Sequence, residues 1–191
     1  MDELYSPSQN TYLERHFSKA PNYVAASVMA IDYDRLFAAG IRHLVFDVDN
    51  TLVSYGEPVL QGPMLEFLKQ LKARPEVHTL RLASNSRRDL STFGIGLGID
   101  VIKPWRLSFK PLPSFYRRIL ANIGPNIDPK TVAMVGDKLI QDVWGANYAG
   151  MTTVLVQPLG RDFWLDRLLG SRRRERRLLR KYLPHHIEAW F

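Results

Sequence analysis

Short apolar runs alternate with stretches of helical spacing through the middle of this chain, and this alternation limits the folds open to it. The apolar runs have the length of buried strands and lie at residues 43–46, 79–83, 101–102, 131–135 and 152–156. Helical spacing predicts helices at 34–39, 58–72, 113–123 and 141–148. Strands that alternate with helices predict an α/β fold, a Rossmann-like parallel sheet with helices on both faces.

Polar residues follow each of the first four predicted strands. Open parallel sheets place their sites beyond the carboxyl ends of the strands, so these side chains are expected to converge. The residues in these positions are Asp47, Asp49, Thr51, Ser84, Asn85, Lys110, Asp137 and Asp142. Carboxylates, hydroxyls and a lysine at one end of a sheet are groups that phosphoryl transfer requires.

The chemistry of phosphoryl transfer explains these residue types. A carboxylate can attack phosphorus and form an acyl phosphate. A second acid can protonate the leaving oxygen and later activate water. Neighbouring carboxylates repel each other, so a divalent cation is expected among them, and oxygen ligands with room for water and phosphate suit Mg²⁺. A lysine and a serine hydroxyl would then stabilise the phosphoryl oxygens.

Four segments resemble the signatures of the haloacid-dehalogenase superfamily, in the order that the family has them. Residues 46–51 read FDVDNT, which resembles the first signature, Asp-x-Asp-x-Thr after an apolar run. Ser84 and Lys110 match the second and third signatures. Residues 136–142 read GDKLIQD and match the fourth, Gly-Asp-x-x-x-x-Asp. The resemblance covers about residues 41–156 and implies the core fold of this superfamily.

The resemblance implies that Asp47 is a nucleophile that accepts the phosphoryl group and binds a metal. Asp49 would be the general acid and base, and would bind the metal through its backbone carbonyl. An aspartate at this second position resembles the phosphatases of the superfamily, because its dehalogenases and pumping ATPases carry other residues there. The resemblance therefore implies a Mg²⁺-dependent phosphatase.

The other matching residues would hold phosphate or metal. The implied phosphate contacts are Ser84, Asn85, Lys110 and Thr51, of which Lys110 also acts in catalysis and Thr51 steadies the loop. The implied metal ligands are Asp47, Asp49, Asp137 and Asp142.

The spacing between the signatures leaves no room for a cap domain. Only 32 residues separate Thr51 from Ser84, and 25 separate Ser84 from Lys110. One helix and one strand fill the first gap, and a helix, a glycine-rich turn and a short strand fill the second. We therefore expect an uncapped, open site, which suits a substrate that is large or fixed in a surface.

A closer resemblance is to the YqeG-like subfamily. It is carried by residues 41–53, the Ser84-Asn85 pair, the segment GDKLIQDVWGAN at 136–147 and the arginine-rich end. This subfamily is related to the mitochondrial phosphatidylglycerophosphate phosphatases. The resemblance implies phosphatidylglycerophosphate, a membrane lipid phosphate, as a candidate substrate.

The positive charge is concentrated near the carboxyl terminus. The chain carries a formal net charge of +7, and residues 172–181, RRRERRLLRK, carry +6 of it (seven basic residues and one acidic). The basic residues are Arg172, Arg173, Arg174, Arg176, Arg177, Arg180 and Lys181. Such a segment can contact an anionic membrane, bind RNA phosphates or form a solvated surface, and the sequence leaves these alternatives open.

Periodicity and charge, together with the resemblance, predict three parts: a loosely ordered arm at 1–20, a haloacid-dehalogenase-like phosphatase domain at 21–170, and a basic tail or helix at 171–191. The chain has no cysteine, which excludes disulfides and thiolate metal sites. No segment resembles a secretory signal or a bilayer span. We therefore expect a cytoplasmic protein, with peripheral binding at the inner face of the membrane as an option.

The sequence leaves three hypotheses for the function. The first is an uncapped phosphomonoesterase that acts on a lipid phosphate. The second keeps the same chemistry for a soluble phosphoester. The third is an RNA- or ribosome-associated factor with weak or no catalysis, which the complete set of signatures disfavours.

Overall fold

A six-stranded parallel sheet forms the centre of the protein, whose computed structural model describes residues 20–60, 62–160 and 177–178. The strand order is β1-β6-β5-β2-β3-β4. The strands are β1 Tyr23–Ala25, β2 His43–Phe46, β3 Thr79–Ala83, β4 Val101–Ile102, β5 Val132–Gly136 and β6 Thr152–Val156. All five pairings are parallel, so the predicted fold class is confirmed.

Helices connect the strands and cover the sheet. They are α1 Tyr33–Ala38, α2 Gly62–Lys72, α3 Ser91–Leu97, α4 Pro113–Ile123 and α5 Gly145–Tyr148. Val28–Ala30 and Pro129–Thr131 are short 3-10 turns, and Leu139–Trp144 is a π-helical turn that leads directly into α5.

The two faces of the sheet bury different side chains because successive residues of a strand point to opposite sides. Leu44 and Phe46 of β2 pack in a cluster that includes Leu68 of α2 and Phe93 of α3. Val45 faces the other side, where a second cluster includes Phe115, Tyr116 and Ile119 of α4. Helices therefore lie on both faces, as the sequence predicts.

Most predicted elements are confirmed within two residues, and the differences have local causes. The helix predicted to begin at 58 begins at Gly62, because the left-handed backbone of Gly62 (φ 57°) interrupts any helix before it, and Pro63 suits a first helical turn. The strand predicted at 131–135 lies one residue later, because Thr131 ends a 3-10 turn. The helix predicted at 141–148 is confirmed, but it begins earlier, at Leu139, and its first part is the π-helical turn.

The strand β1 has no counterpart among the predictions. It pairs with β6 at the edge of the sheet, in the register Tyr23 to Val154. With three residues, it is too short to show an alternating pattern.

A third apolar cluster lies beside this edge of the sheet. Val24, Leu139, Val143 and Leu155 form it, and Trp144 and Leu178 pack against it. Leu178 belongs to the basic segment of residues 172–181, so at least this residue of the segment contacts the folded core.

The predicted division into arm, domain and tail stays a prediction, since the described residues include only Ala20 of the arm and Arg177 and Leu178 of the tail. Within the described part of the chain, every helix is too short or too polar to cross a bilayer.

Candidate active site

The carboxyl ends of the strands surround a cleft of about 430 Å³. Its walls come from the loops after β2, β3 and β5, which are neighbours in the sheet. The lining residues are Asp47, Asp49, Asn50, Tyr55, Ser84, Asn85, Ser86, Arg87, Lys138 and Gln141. The residues predicted at the ends of separate strands therefore do converge.

The loop after β2 is shaped by Asn50. This residue has left-handed backbone (φ 63°), which asparagine tolerates better than most residues. Its backbone N–H donates to Val53 O at 2.7 Å, and its side-chain Oδ1 accepts from Tyr55 N at 3.1 Å. The turn carries the chain out of the strand, so that both Asp47 and Asp49 line the cleft.

Lys110 joins two carboxylates at the floor of the cleft. Its Nζ lies 2.5 Å from Asp47 Oδ1 and 2.7 Å from Asp142 Oδ1. All three side chains are nearly inaccessible to solvent. Asp47 of the first signature, Lys110 of the third and Asp142 of the fourth are therefore in direct contact, although they lie far apart in sequence.

The loop after β5 holds Asp142 in place. Asp142 Oδ2 accepts from Lys138 N at 3.0 Å. A Cβ on Gly136 would lie 2.3 Å from Asp142 Cγ, so only glycine allows this approach. The π-helical turn widens the chain here: Asp142 N and Val143 N both donate to Lys138 O. π-helical turns are frequent at functional sites.

Asp47, Asp137 and Asp142 form a group that can hold a metal ion. All three are buried, and one carboxylate oxygen from each lies within 4.8 Å of the others. Three ionised carboxylates and the Lys110 ammonium would leave two negative charges in a buried space. Oxygen donors with this charge fit a divalent cation, and Mg²⁺ prefers such ligands.

Burial and charge shift the pKa values in this group. Burial raises the pKa of Asp47 to about 6; the Lys110 ammonium opposes this rise, and the Asp142 carboxylate adds to it. For Lys110, burial favours the neutral amine, but the carboxylates of Asp142 and Asp47 outweigh it and raise the pKa above its ordinary value. Lys110 therefore stays charged at neutral pH.

The Asp49 carboxylate pairs with Arg88, and metal binding through the Asp49 backbone carbonyl stays a prediction. Arg88 Nη2 lies 2.5 Å from Asp49 Oδ1, and Arg88 Nη1 donates to the backbone oxygen of Glu57. The Gly56 N–H also points to Asp49 Oδ1, at 3.5 Å. Arg88 thus fixes the carboxylate that is predicted to be the general acid and base.

The predicted phosphate contacts lie in and beneath the cleft. Ser84 lines it, and Ser84 Oγ accepts from Ser86 N at 3.0 Å. The Asn85 side chain accepts from Lys110 N at 2.8 Å and donates to Lys110 O at 2.9 Å, so it positions Lys110. Thr51 is buried, with its hydroxyl 3.4 Å from Asp47 Oδ2. Direct phosphate binding by Ser84, Asn85 and Thr51 stays a prediction.

Arg88 and the residues that complete the cleft wall are not among the residues predicted from the sequence. Arg87, Gln141 and Lys138 line the cleft beside the predicted residues. The pair Arg87-Arg88 follows Ser84-Asn85 closely after the end of a strand, and this position could have indicated that both arginines lie at the cleft. The signatures of the superfamily do not specify these positions.

The comparisons with known proteins agree with this geometry. The profile of the family described as HAD-hydrolase-like matches residues 109–158, which include Lys110, Asp137 and Asp142. The chain is 28% identical over 160 residues to "Probable phosphatase YqeG" of Bacillus subtilis (strain 168), and the match covers 83% of this chain and 88% of that protein. The chain is a haloacid-dehalogenase-like phosphatase, and it is similar to YqeG.

This phosphatase is also similar to "Phosphatidylglycerophosphate phosphatase 1, chloroplastic" of Chlamydomonas reinhardtii. The two are 30% identical over 147 residues, which cover 73% of this chain and 53% of the algal protein. The phosphatase thus spans about half the length of that relative. Among solved structures, an uncharacterised protein from Listeria monocytogenes serotype 4b is similar with a TM-score of 0.49 and 22% identity, over 61% of this chain and 79% of that one.

Proposed function

We propose that this phosphatase is a Mg²⁺-dependent phosphomonoesterase that works through an aspartyl phosphate on Asp47 and acts on a membrane lipid phosphate such as phosphatidylglycerophosphate. The observation that carries the mechanism is the buried contact of Asp47 with Lys110, beside Asp137 and Asp142, at the floor of an open cleft. The similarity to the algal phosphatidylglycerophosphate phosphatase supports the lipid substrate.

The proposed first step is attack by an Asp47 carboxylate oxygen on phosphorus. A bond forms between this oxygen and phosphorus, and the bond from phosphorus to the alcohol oxygen breaks. Asp49 donates a proton to the departing alcohol, which leaves as a neutral hydroxyl compound. Lys110 stabilises the negative charge on the transferring group from within hydrogen-bond distance of Asp47.

The second step releases phosphate. Asp49 removes a proton from a water molecule, which attacks phosphorus and breaks its bond to Asp47. The Asp47 carboxylate is thereby restored, and Asp49 has recovered the proton it gave. A magnesium ion held by Asp47, Asp137 and Asp142 would supply electrostatic stabilisation of the phosphoryl oxygens.

Phosphate release from phosphatidylglycerophosphate tests the substrate. We expect the full chain with Mg²⁺ to hydrolyse this lipid in mixed micelles with kcat/KM at least about tenfold above soluble sugar phosphates, nucleotides and phosphopeptides. A large lipid headgroup can enter an open cleft, and binding energy from the remote parts of a substrate raises kcat/KM. Preferred turnover of the soluble esters would keep the phosphatase mechanism and reject the lipid substrate.

Magnesium should stabilise the folded protein, because it binds the buried carboxylates only when they are brought together. At about 100 times its dissociation constant, a ligand adds roughly 2.7 kcal/mol to the unfolding free energy. We expect thermal unfolding in EDTA and in excess Mg²⁺ to show a rise in Tm of several degrees for the wild type. Asp137→Asn should remove most of this rise.

Asp100→Asn is the matched control, because the Asp100 carboxylate is exposed and its ion-pair contact, with Arg81, is long at 3.8 Å. It should keep the full response to Mg²⁺. An equal rise in Tm for the wild type and Asp137→Asn would reject the metal site at Asp137.

The basic tail of residues 171–191 is proposed to assist at the cytoplasmic face of the membrane. Its seven basic residues would contribute on the order of 1 kcal/mol each near an anionic surface. RNA binding that depends on residues 172–181 and survives Asp47→Asn would instead favour the RNA- or ribosome-associated function.

A further inference from the structure

The loop between β4 and α4 presents large apolar side chains to solvent. Trp105 is 61% exposed, Leu107 is 82% exposed and Phe109 is 39% exposed. Single exposed apolar residues are common on protein surfaces. Three of them within five residues form a cluster, and such clusters mark surfaces that bind proteins or membranes.

The loop is an ordered hairpin formed by residues 105–108. Trp105 N donates to Ser108 O at 3.0 Å, and Ser108 N donates to Trp105 O at 2.9 Å. Arg118 Nη1 fixes the base of the hairpin by donating to Ser108 Oγ at 3.2 Å and to Lys103 O at 3.1 Å. Because the backbone is already ordered, binding through the tip has a low conformational-entropy cost.

Basic groups lie beside the apolar tip of the hairpin. Residues 101–127 contain no acidic residue, and apart from the buried Lys110 their basic residues are Lys103, Arg106, Arg117 and Arg118. The guanidinium of Arg106 lies 4.8 Å from the centre of the Trp105 ring, and that of Arg118 lies 6.0 Å from it. Tryptophan favours the headgroup level of a bilayer, and basic side chains favour anionic headgroups. The hairpin is therefore complementary to an anionic lipid surface.

The hairpin is joined to the wall of the active-site cleft. Lys103 Nζ donates to Arg87 O at 3.3 Å and also to the backbone oxygen of Arg88. Arg87 lines the cleft, and Arg88 holds Asp49. On the other side, Lys110 follows Phe109 directly in the chain. A surface that contacts the hairpin therefore lies close to the cleft.

We propose that the hairpin of residues 105–108, together with Phe109, docks this phosphatase on an anionic lipid bilayer and brings the cleft to lipid phosphates. This proposal rests on the proposed function, because a lipid substrate gives the docking its purpose. Bilayer binding is nevertheless measurable without turnover, so the two proposals can fail separately.

Flotation with vesicles tests the docking surface. The full chain is mixed at physiological salt with vesicles made of equal parts phosphatidylglycerol and phosphatidylcholine. The double variant Trp105→Ser/Leu107→Ser should bind about tenfold more weakly than the wild type or worse, because two large apolar groups no longer enter the interface. Arg106→Gln should weaken binding about fivefold through the loss of one charge near the surface.

Ile95→Ser is the matched control variant. Ile95 is 78% exposed on α3, which packs on the face of the sheet opposite α4. This variant also loses a large exposed apolar group and should bind vesicles like the wild type. All variants keep the basic tail, so a difference between them reports on the hairpin, and their Tm values verify that they are folded.

Four results would overturn the docking proposal. They are equal vesicle binding by the double variant and the wild type, no vesicle binding by the wild type, a dimer that dissociates in the double variant, and hairpin-dependent RNA binding without vesicle binding. A wild type that binds vesicles through the hairpin but leaves phosphatidylglycerophosphate in micelles intact would reject the lipid substrate and support the docking surface. Hydrolysis of the lipid together with vesicle binding that does not depend on the hairpin would support the lipid substrate and reject the docking surface.

Discussion

Asp47→Asn is expected to lower kcat by about 10⁴-fold or more, the scale of loss seen when a catalytic nucleophile is removed. Asparagine keeps the shape of the side chain, but its neutral amide is a poor nucleophile and cannot form the acyl phosphate. The measurement is phosphate release with Mg²⁺ on the best substrate. Acid quenching during turnover should also trap a phosphorylated wild-type chain and no phosphorylated variant.

The control for Asp47→Asn is the exposed carboxylate variant Asp100→Asn, which should keep activity within about twofold, because surface substitutions usually have small effects. The Asp47→Asn variant should remain folded, because the amide can still accept a hydrogen bond from Lys110. If this folded variant kept more than a tenth of the wild-type kcat, Asp47 could not be the nucleophile.

Lys110→Met is expected to reduce the unfolding free energy by about 3–5 kcal/mol in EDTA, the usual cost of removing one partner from a buried ion pair. Methionine has a similar volume, so loss of packing contributes little. The loss of the ammonium leaves Asp47 and Asp142 buried without the cation that lies within 2.7 Å of both. Urea or thermal unfolding measures this cost, and phosphate release should fall below detection in the same variant.

The pH dependence gives Lys110→Met a second signature. The pKa of Asp47 is about 6 in the folded protein and 3.8 ordinarily, so the folded state binds more protons between these values. Stability from this group therefore falls as pH rises through that window. Without the Lys110 ammonium, the folded pKa of Asp47 should rise further, which widens this pH range. The loss of unfolding free energy in Lys110→Met, relative to the wild type, should therefore become smaller as pH falls toward 4. Lys69→Met changes an exposed lysine on α2 and should lose less than about 0.5 kcal/mol at any of these pH values. If Lys110→Met also lost less than about 0.5 kcal/mol, the buried contact of Lys110 with Asp47 and Asp142 would not stabilise the fold.

The residues that carry the chemistry were predictable from sequence because their positions follow from topology. Strands such as 43–46 and 79–83 are continuous apolar runs, typical of strands buried on both faces. Parallel strands bring their carboxyl ends to one edge, so the convergence of Asp47, Ser84 and Asp137 follows from the strand assignments. The superfamily signatures then supplied a role for each residue.

The features that were missed depend on contacts between distant segments. The strand β1 forms by pairing with β6, which is about 130 residues further along the chain. The π-helical turn forms where the Asp142 side chain bonds to Lys138 N and to Lys110, and no helical periodicity encodes this. The pairing of Arg88 with Asp49 joins residues 39 positions apart. Side-chain contacts of this kind require the folded geometry.

The apolar contact of Leu178 has a geometric consequence for the whole molecule. Leu178 packs beside β1 and β6 at one edge of the sheet, whereas the 105–108 hairpin follows β4 at the opposite edge. Five strand spacings, about 24 Å, separate these edges, and the cleft lies between them. A rigid body that touches a plane at one point can tilt in every direction, but two well-separated points remove one of these rotations. Contact of both basic elements with one surface would thus fix the inclination of the cleft along the line that joins them, and would leave it free to rock only about that line.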